Sequence, residues 1–149
     1  MERLKYKNLQ LPSGNLWLNK VTDEYYDFND VIELSKEYEL PTIEDFKELL
    51  DNTDSEVCYE NGVYGRKFTS KHNGVSIFFP HTGYFEGERH WHKDTCASVW
   101  STTEFDKNNA YYLTFYSLPD IGVEKHNGFG ISYFPNSIKM PIIFIQHKN

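Results

Sequence analysis

Helical periodicity in this chain is confined to residues 27–52, and the later segments carry the pattern of strands and turns. "DFNDVIELSKEYEL" (27–40) puts Phe28, Val31, Ile32, Ser35 and Tyr38 along one side at helical spacing, with acids and Lys36 opposite. "LPTIEDFKELLDN" then supplies a second helix with a defined start. Thr42 is a natural N-cap, Asp45 stands at the third helical position as in a capping box, and Pro41 keeps Leu40 extended. Phe46, Leu49 and Leu50 form its apolar stripe.

After Asn52 the strand candidates are "GRKFTS" (65–70), "VSIFFP" (75–80), "SVWSTTE" (98–104), "AYYLTFY" (110–116), "GFGISYF" (128–134) and "PIIFIQH" (141–147). Asn73-Gly74 between the first two is the dipeptide of a tight hairpin whose central residues both take positive φ. Upstream, "NLWLNKV" (15–21) alternates as a strand does, and Asp106 to Asn109 are good turn formers. No repeat, low-complexity tract or linker interrupts the 149 residues, which predicts one α+β domain spanning 1–149.

Composition narrows the function. A formal charge of −7 and 22 acids against 15 Lys and Arg argue against a nucleic-acid partner. The 11 Tyr, 11 Phe and 3 Trp argue against disorder and fit a half-buried sheet or a contact surface. No stretch reaches the ~18 apolar residues of a membrane helix, so no membrane partner is expected. "MERLKYKNLQ" has no apolar secretory core, so Cys58 and Cys96 are expected as free thiols.

The order of several blocks resembles a known family. "LPSGNLWLNK", "LPTIEDFKELLDN", "NGVYGRKFTSKHNGVSIFFPHTGY" and "VWSTTEFDKNNAYYLTF", from about Leu11 to Phe134, are similar to the Fibrobacter-succinogenes-type major paralogous domain, within the C-type-lectin-like fold superfamily. The resemblance implies two helices flanking a twisted antiparallel sheet, paired N- and C-terminal strands, and a long loop region. "NLWLNKV" and "PIIFIQH" would be the closing pair, with Trp17, Trp100, Tyr112, Leu113 and Phe115 in the core or on the sheet face. The triplets that bind calcium and sugar in lectins of this fold are absent. "LPD" (118–120) and "FPN" (134–136) have no carboxylate beside them to complete a set of oxygens, so calcium-dependent sugar binding is not implied.

"ERHWHKDTCASVW" (88–100) carries the remaining chemistry. On an extended strand His90 and His92 would share a side and could hold a transition metal, with Asp94, Cys96 or His81 completing the set. No fixed ligand spacing supports this, and neither metal nor cofactor is expected. Cys96 beside Asp94 could be a nucleophile, but no histidine signature accompanies it, and a small buried residue before a strand is the plainer reading. The expectation is instead a ligand- or partner-binding surface of Tyr84, Phe85, Arg89, His90, Trp91, His92, Tyr116 and Asp120, with Trp91 at its centre.

The function expected is that of a non-catalytic binding or assembly module. A phage virion component is favoured: a capsid decoration, head-fibre or receptor-binding protein, made in the host cytoplasm, contacting a protein partner, further copies of itself or a host surface glycan. A bacterial surface adhesin is the alternative within the fold, and a Cys/His enzyme or metal protein is the rival outside it.

Overall fold

The computed structural model describes residues 3–116 and 129–148. It is α+β, with two α-helices and antiparallel strand pairs among those residues. The strands are β1 (Tyr6–Asn8), β2 (Leu16–Leu18), β3 (Thr53–Glu60), β4 (Val63–Ser70), β5 (Ser76–Pro80), β6 (Tyr84–Glu86), β7 (Arg89–Trp91), β8 (Cys96–Glu104), β9 (Asn109–Tyr116), β10 (Phe129–Pro135) and β11 (Ile145–Gln146). Helices α1 (Phe28–Leu34) and α2 (Ile43–Asp51) lie between β2 and β3. The strands form sheets in the orders β1-β2-β11, β3-β4-β5, β6-β7 and β10-β9-β8.

The expected closing pair is present: Ile145 faces Trp17 and Gln146 faces Leu16 in antiparallel register. The start of α2 is also as expected. Thr42 Oγ1 accepts from the Asp45 amide at 3.2 Å, and Asp45 Oδ2 accepts from the Thr42 amide at 2.9 Å. The "WSTT" segment steadies this start from outside. Thr102 donates its amide to the Pro41 carbonyl at 3.0 Å, and Thr103 Oγ1 accepts from the Ile43 amide at 3.0 Å.

Two expectations need correction, and one long strand was not anticipated. The first helix ends at Leu34, because the chain tightens there: Ser35 Oγ donates to the Ile32 carbonyl, and the Lys36 and Glu37 amides reach back only three residues. Ser35 and Tyr38 are therefore exposed, and Tyr38 meets Phe144 edge-on instead of extending the α1 stripe. In the β4–β5 connection only Gly74 of the Asn73-Gly74 pair takes positive φ (76°). Asn73 serves through its side chain, accepting from the Val75 amide and donating to the Asn8 carbonyl. Last, the polar segment 53–60 forms the full-length strand β3, paired along all of β4.

The core has two parts, on opposite faces of the β10-β9-β8 sheet, as alternation along β8 and β9 requires. Ala97, Val99, Leu113 and Phe115 meet Trp17, Phe46, Leu49, Phe68 and Phe79 on one face. Trp100, Ala110 and Tyr112 meet Phe28, Val31, Leu40 and Met140 on the other. Each such large side chain contributes roughly 1.5–3 kcal/mol by leaving water. The Trp100 indole N–H is satisfied by the Tyr26 carbonyl at 2.8 Å.

Candidate functional site: an aromatic hairpin

The segment expected as a long contact loop is folded. β6 and β7 pair through Tyr84–Trp91, Phe85–His90 and Glu86–Arg89, leaving Gly87-Glu88 as a two-residue turn. Gly87 takes φ 62° at the first central position, the geometry that glycine permits in such a turn. The hairpin is fastened at both sides. Phe85 and Lys139 exchange backbone hydrogen bonds of 2.8 and 2.9 Å, and the Gly83 amide donates to the Cys96 carbonyl at 2.7 Å.

Alternation splits the expected contact residues into two sets. On one face the Phe85 and His90 rings stack at 4.1 Å, with Tyr25 edge-on to both. His90 Nε2 lies 2.7 Å from the Thr82 carbonyl, which also accepts from the Tyr25 hydroxyl at 2.9 Å. A carbonyl only accepts, so this nitrogen carries a hydrogen. Phe85 and His90 thus support the hairpin from beneath. Burial comes first among the causes that raise the Tyr25 phenol pKa, so its hydroxyl stays protonated as a donor.

The opposite face carries Tyr84, Glu86, Arg89 and Trp91. The Arg89 guanidinium lies 4.4 Å from the Trp91 ring centroid, and Trp91 Nε1 donates to Glu86 Oε1 at 3.1 Å. Trp91 is half-buried, with its ring fixed from two sides. Beside it Tyr84, Glu86, Trp91, His92, Phe134, Pro135 and Ile138 line a shallow hollow of about 250 Å³. Tyr84 meets Phe134 edge-on at 4.9 Å, so β10 supplies the far wall. Glu86, Phe134 and Tyr25 are the members that sequence reading missed. The Phe-Glu-Gly-Glu-Arg run, with Gly at a hairpin position, was the signal that could have placed Glu86 opposite Arg89.

The histidine pair does not act jointly. His92 takes φ 56°, which ends the strand and breaks the alternation that would have set it beside His90. Its ring lies near Tyr84 and Trp91, while that of His90 is engaged with Phe85 and Thr82. Among the described residues no group of three or more His, Cys, Asp or Glu could hold a metal ion. Tyr116 is the last residue of β9, with its backbone opposite Cys96; its side chain and Asp120 lie outside the described residues.

Both cysteines are free thiols. Cys96 is 1% exposed, with Ser98 Oγ and Thr114 Oγ1 each 3.6 Å from its sulfur. Burial pushes its thiol pKa up, against those two hydroxyls, so it is a poor nucleophile at neutral pH. His81 is buried beneath the start of the hairpin, and neither ring nitrogen has a hydrogen-bond partner among the described residues. Burial, with the nearby Arg66 charge second, lowers its pKa to about 4, so the imidazole is neutral. A larger hollow of about 370 Å³ lies elsewhere, with Phe78 and Pro80 against Leu4, Lys20, Glu60 and Val63.

Comparison with family models, curated proteins and solved structures finds no match to this chain.

Proposed function

We propose that this chain is a non-catalytic binding or assembly module of C-type-lectin-like fold, serving in a phage virion as a capsid decoration, head-fibre or receptor-binding protein. Its contact face is the Tyr84, Glu86, Arg89 and Trp91 side of the β6–β7 hairpin. Support for the fold reading comes from the short antiparallel pairing of β2 with β11 and from two helices set between β2 and the later strands. The observation that carries the contact reading is the Arg89–Trp91–Glu86 constellation beside the hollow.

A tryptophan held between a guanidinium and a carboxylate offers an apolar ring, donors and an acceptor with little side-chain entropy left to lose. That combination suits a saccharide ring or the polar-aromatic surface of another virion protein. Against a thiol enzyme stand the burial of Cys96 and its hydroxyl partners.

Mass spectrometry of purified phage particles tests the location, and the expected result is this chain at a copy number fitting particle symmetry. Absence from particles, together with glycan-array retention of the isolated domain, would move the reading to a bacterial surface adhesin. Absence from both would overturn it.

A further inference from the structure

We propose that His147, held between Asp45 and Glu39, is a proton-operated latch that fastens the C-terminal strand across the junction of the two helices. None of the residues that hold His147 belongs to the contact face of the hairpin. β11 pairs with β2 over only two residue pairs, with the Leu18 amide also donating to the Phe144 carbonyl at 2.9 Å, and the residues from Ile145 onward are tied to the helix junction as well. Three hydrogen bonds do this, and a fourth links one of their acceptors to Asp45. The Ile145 amide donates to the Glu39 carbonyl (3.1 Å) and the His147 amide to Glu39 Oε1 (3.0 Å). The Lys148 amide donates to Asn15 Oδ1 (3.0 Å), and Asn15 Nδ2 in turn donates to Asp45 Oδ1 (3.1 Å).

The imidazole completes this set from both sides. His147 Nε2 lies 2.8 Å from Asp45 Oδ2, and Nδ1 lies 3.3 Å from Glu39 Oε1. A neutral imidazole has one N–H, so one of these nitrogens would turn a lone pair toward a carboxylate. Only the imidazolium donates to both. Asp45 is itself pinned by the capping box, so the latch closes on a carboxylate that cannot turn away freely.

The other charged or titratable groups nearby leave that balance intact. Glu48 on α2 is engaged with the Ser13 amide and hydroxyl. Lys148 follows on the same segment, its stem against Gly14. Tyr6 on β1, raised by burial and then by Glu39, stays neutral.

The sign follows from the same contacts. Burial alone would lower the His147 pKa, but the hydrogen bonds and charges of Asp45, then Glu39, outweigh it and raise it above 6.5. The latch is therefore fully closed below about pH 6.5, the unfolded imidazole value, and is lost as pH rises through the higher folded value.

Two NMR readouts on the intact chain test this: the His147 ring-proton titration, and amide hydrogen exchange corrected for intrinsic base catalysis. The ring should titrate above 6.5. Across that titration, protection at the Ile145 and Lys148 amides should fall about two- to fivefold, the range of a half-exposed ion pair. Leu113, in the central strand, should not change. Glu39→Gln keeps the backbone acceptor and removes the charge, so it should lower the midpoint and shrink the fall. A midpoint at or below 6.5, pH-independent protection, or an equal fall at Leu113 would overturn the latch. If Glu39→Gln fails to fold, the wild-type titration and exchange decide alone.

Discussion

Gly83 is where the hairpin seat can be measured. It takes φ 66°, and an added Cβ would sit 2.1 Å from the Trp91 carbonyl oxygen and 2.8 Å from the Lys93 nitrogen. These are backbone atoms, which no rotamer change can move. Gly83→Ala therefore carries two costs: ~1–2 kcal/mol for an L side chain in the left-handed region, and a further ~1–3 kcal/mol because β7 must shift off the contact. Gly87 separates the two, since it has φ 62° and nothing within 4 Å of its Cβ position. Gly87→Ala should cost only the conformational part. For a chain of 149 residues the difference corresponds to a melting temperature about 3–9 °C lower for Gly83→Ala than for Gly87→Ala. Urea unfolding followed by tryptophan fluorescence, with thermal melts by circular dichroism, reads both variants. Equal destabilisation of the two would mean that the hairpin does not press on Gly83, and the seat described above would be wrong.

The remaining predictions concern protons and thiols. His81 is neutral when folded, with a pKa of about 4 against 6.5 unfolded, so the unfolded chain binds the extra proton first. Stability should drop by on the order of 2–3 kcal/mol as pH falls from about 6.5 to 4. His81→Gln should flatten that stretch of the urea-midpoint profile; an unchanged acid slope would assign the loss elsewhere. His147 contributes with the opposite sign near and above pH 6.5, so the two histidines bracket the optimum. In native protein a disulfide reagent should modify Cys58, which is half-buried, well before Cys96, which should react only on unfolding. Rapid native modification of Cys96 would reopen the thiol-enzyme reading.

What could be read from the residues alone was set by local chemistry. The capping box at Thr42 and Asp45 involves neighbours three positions apart, and the α2 stripe of Phe46 and Leu49 repeats over two turns, so both were legible. "PIIFIQH" was legible as a strand candidate because most of it is apolar, although only Ile145–Gln146 pairs; that it closes on "NLWLNKV" came from the family resemblance alone. β3 was not, since "TDSEVCYE" carries four acids or hydroxyls in its first four positions and sits at the edge of its sheet. Its order comes from eight residue pairs with β4, which are tertiary contacts. The β6–β7 hairpin was hidden because three-residue strands are too short to show a period. The divergence of its two histidines was hidden too: a positive φ at His92, invisible in the residue pattern, sends the rings to different neighbours.

If the Trp91 face of the hairpin makes the partner contact, truncating Trp91 should weaken it. Wild type and Trp91→Ala, compared for retention on a glycan array and for incorporation into purified phage particles, test it most directly. Trp91 is half-buried and outside both core clusters, so the variant should melt within a few degrees of wild type. Trp91→Ala should lose at least tenfold of whichever binding the wild type shows, the size expected for truncating a central aromatic anchor worth ~2 kcal/mol or more. Undiminished binding by a folded Trp91→Ala protein would contradict it.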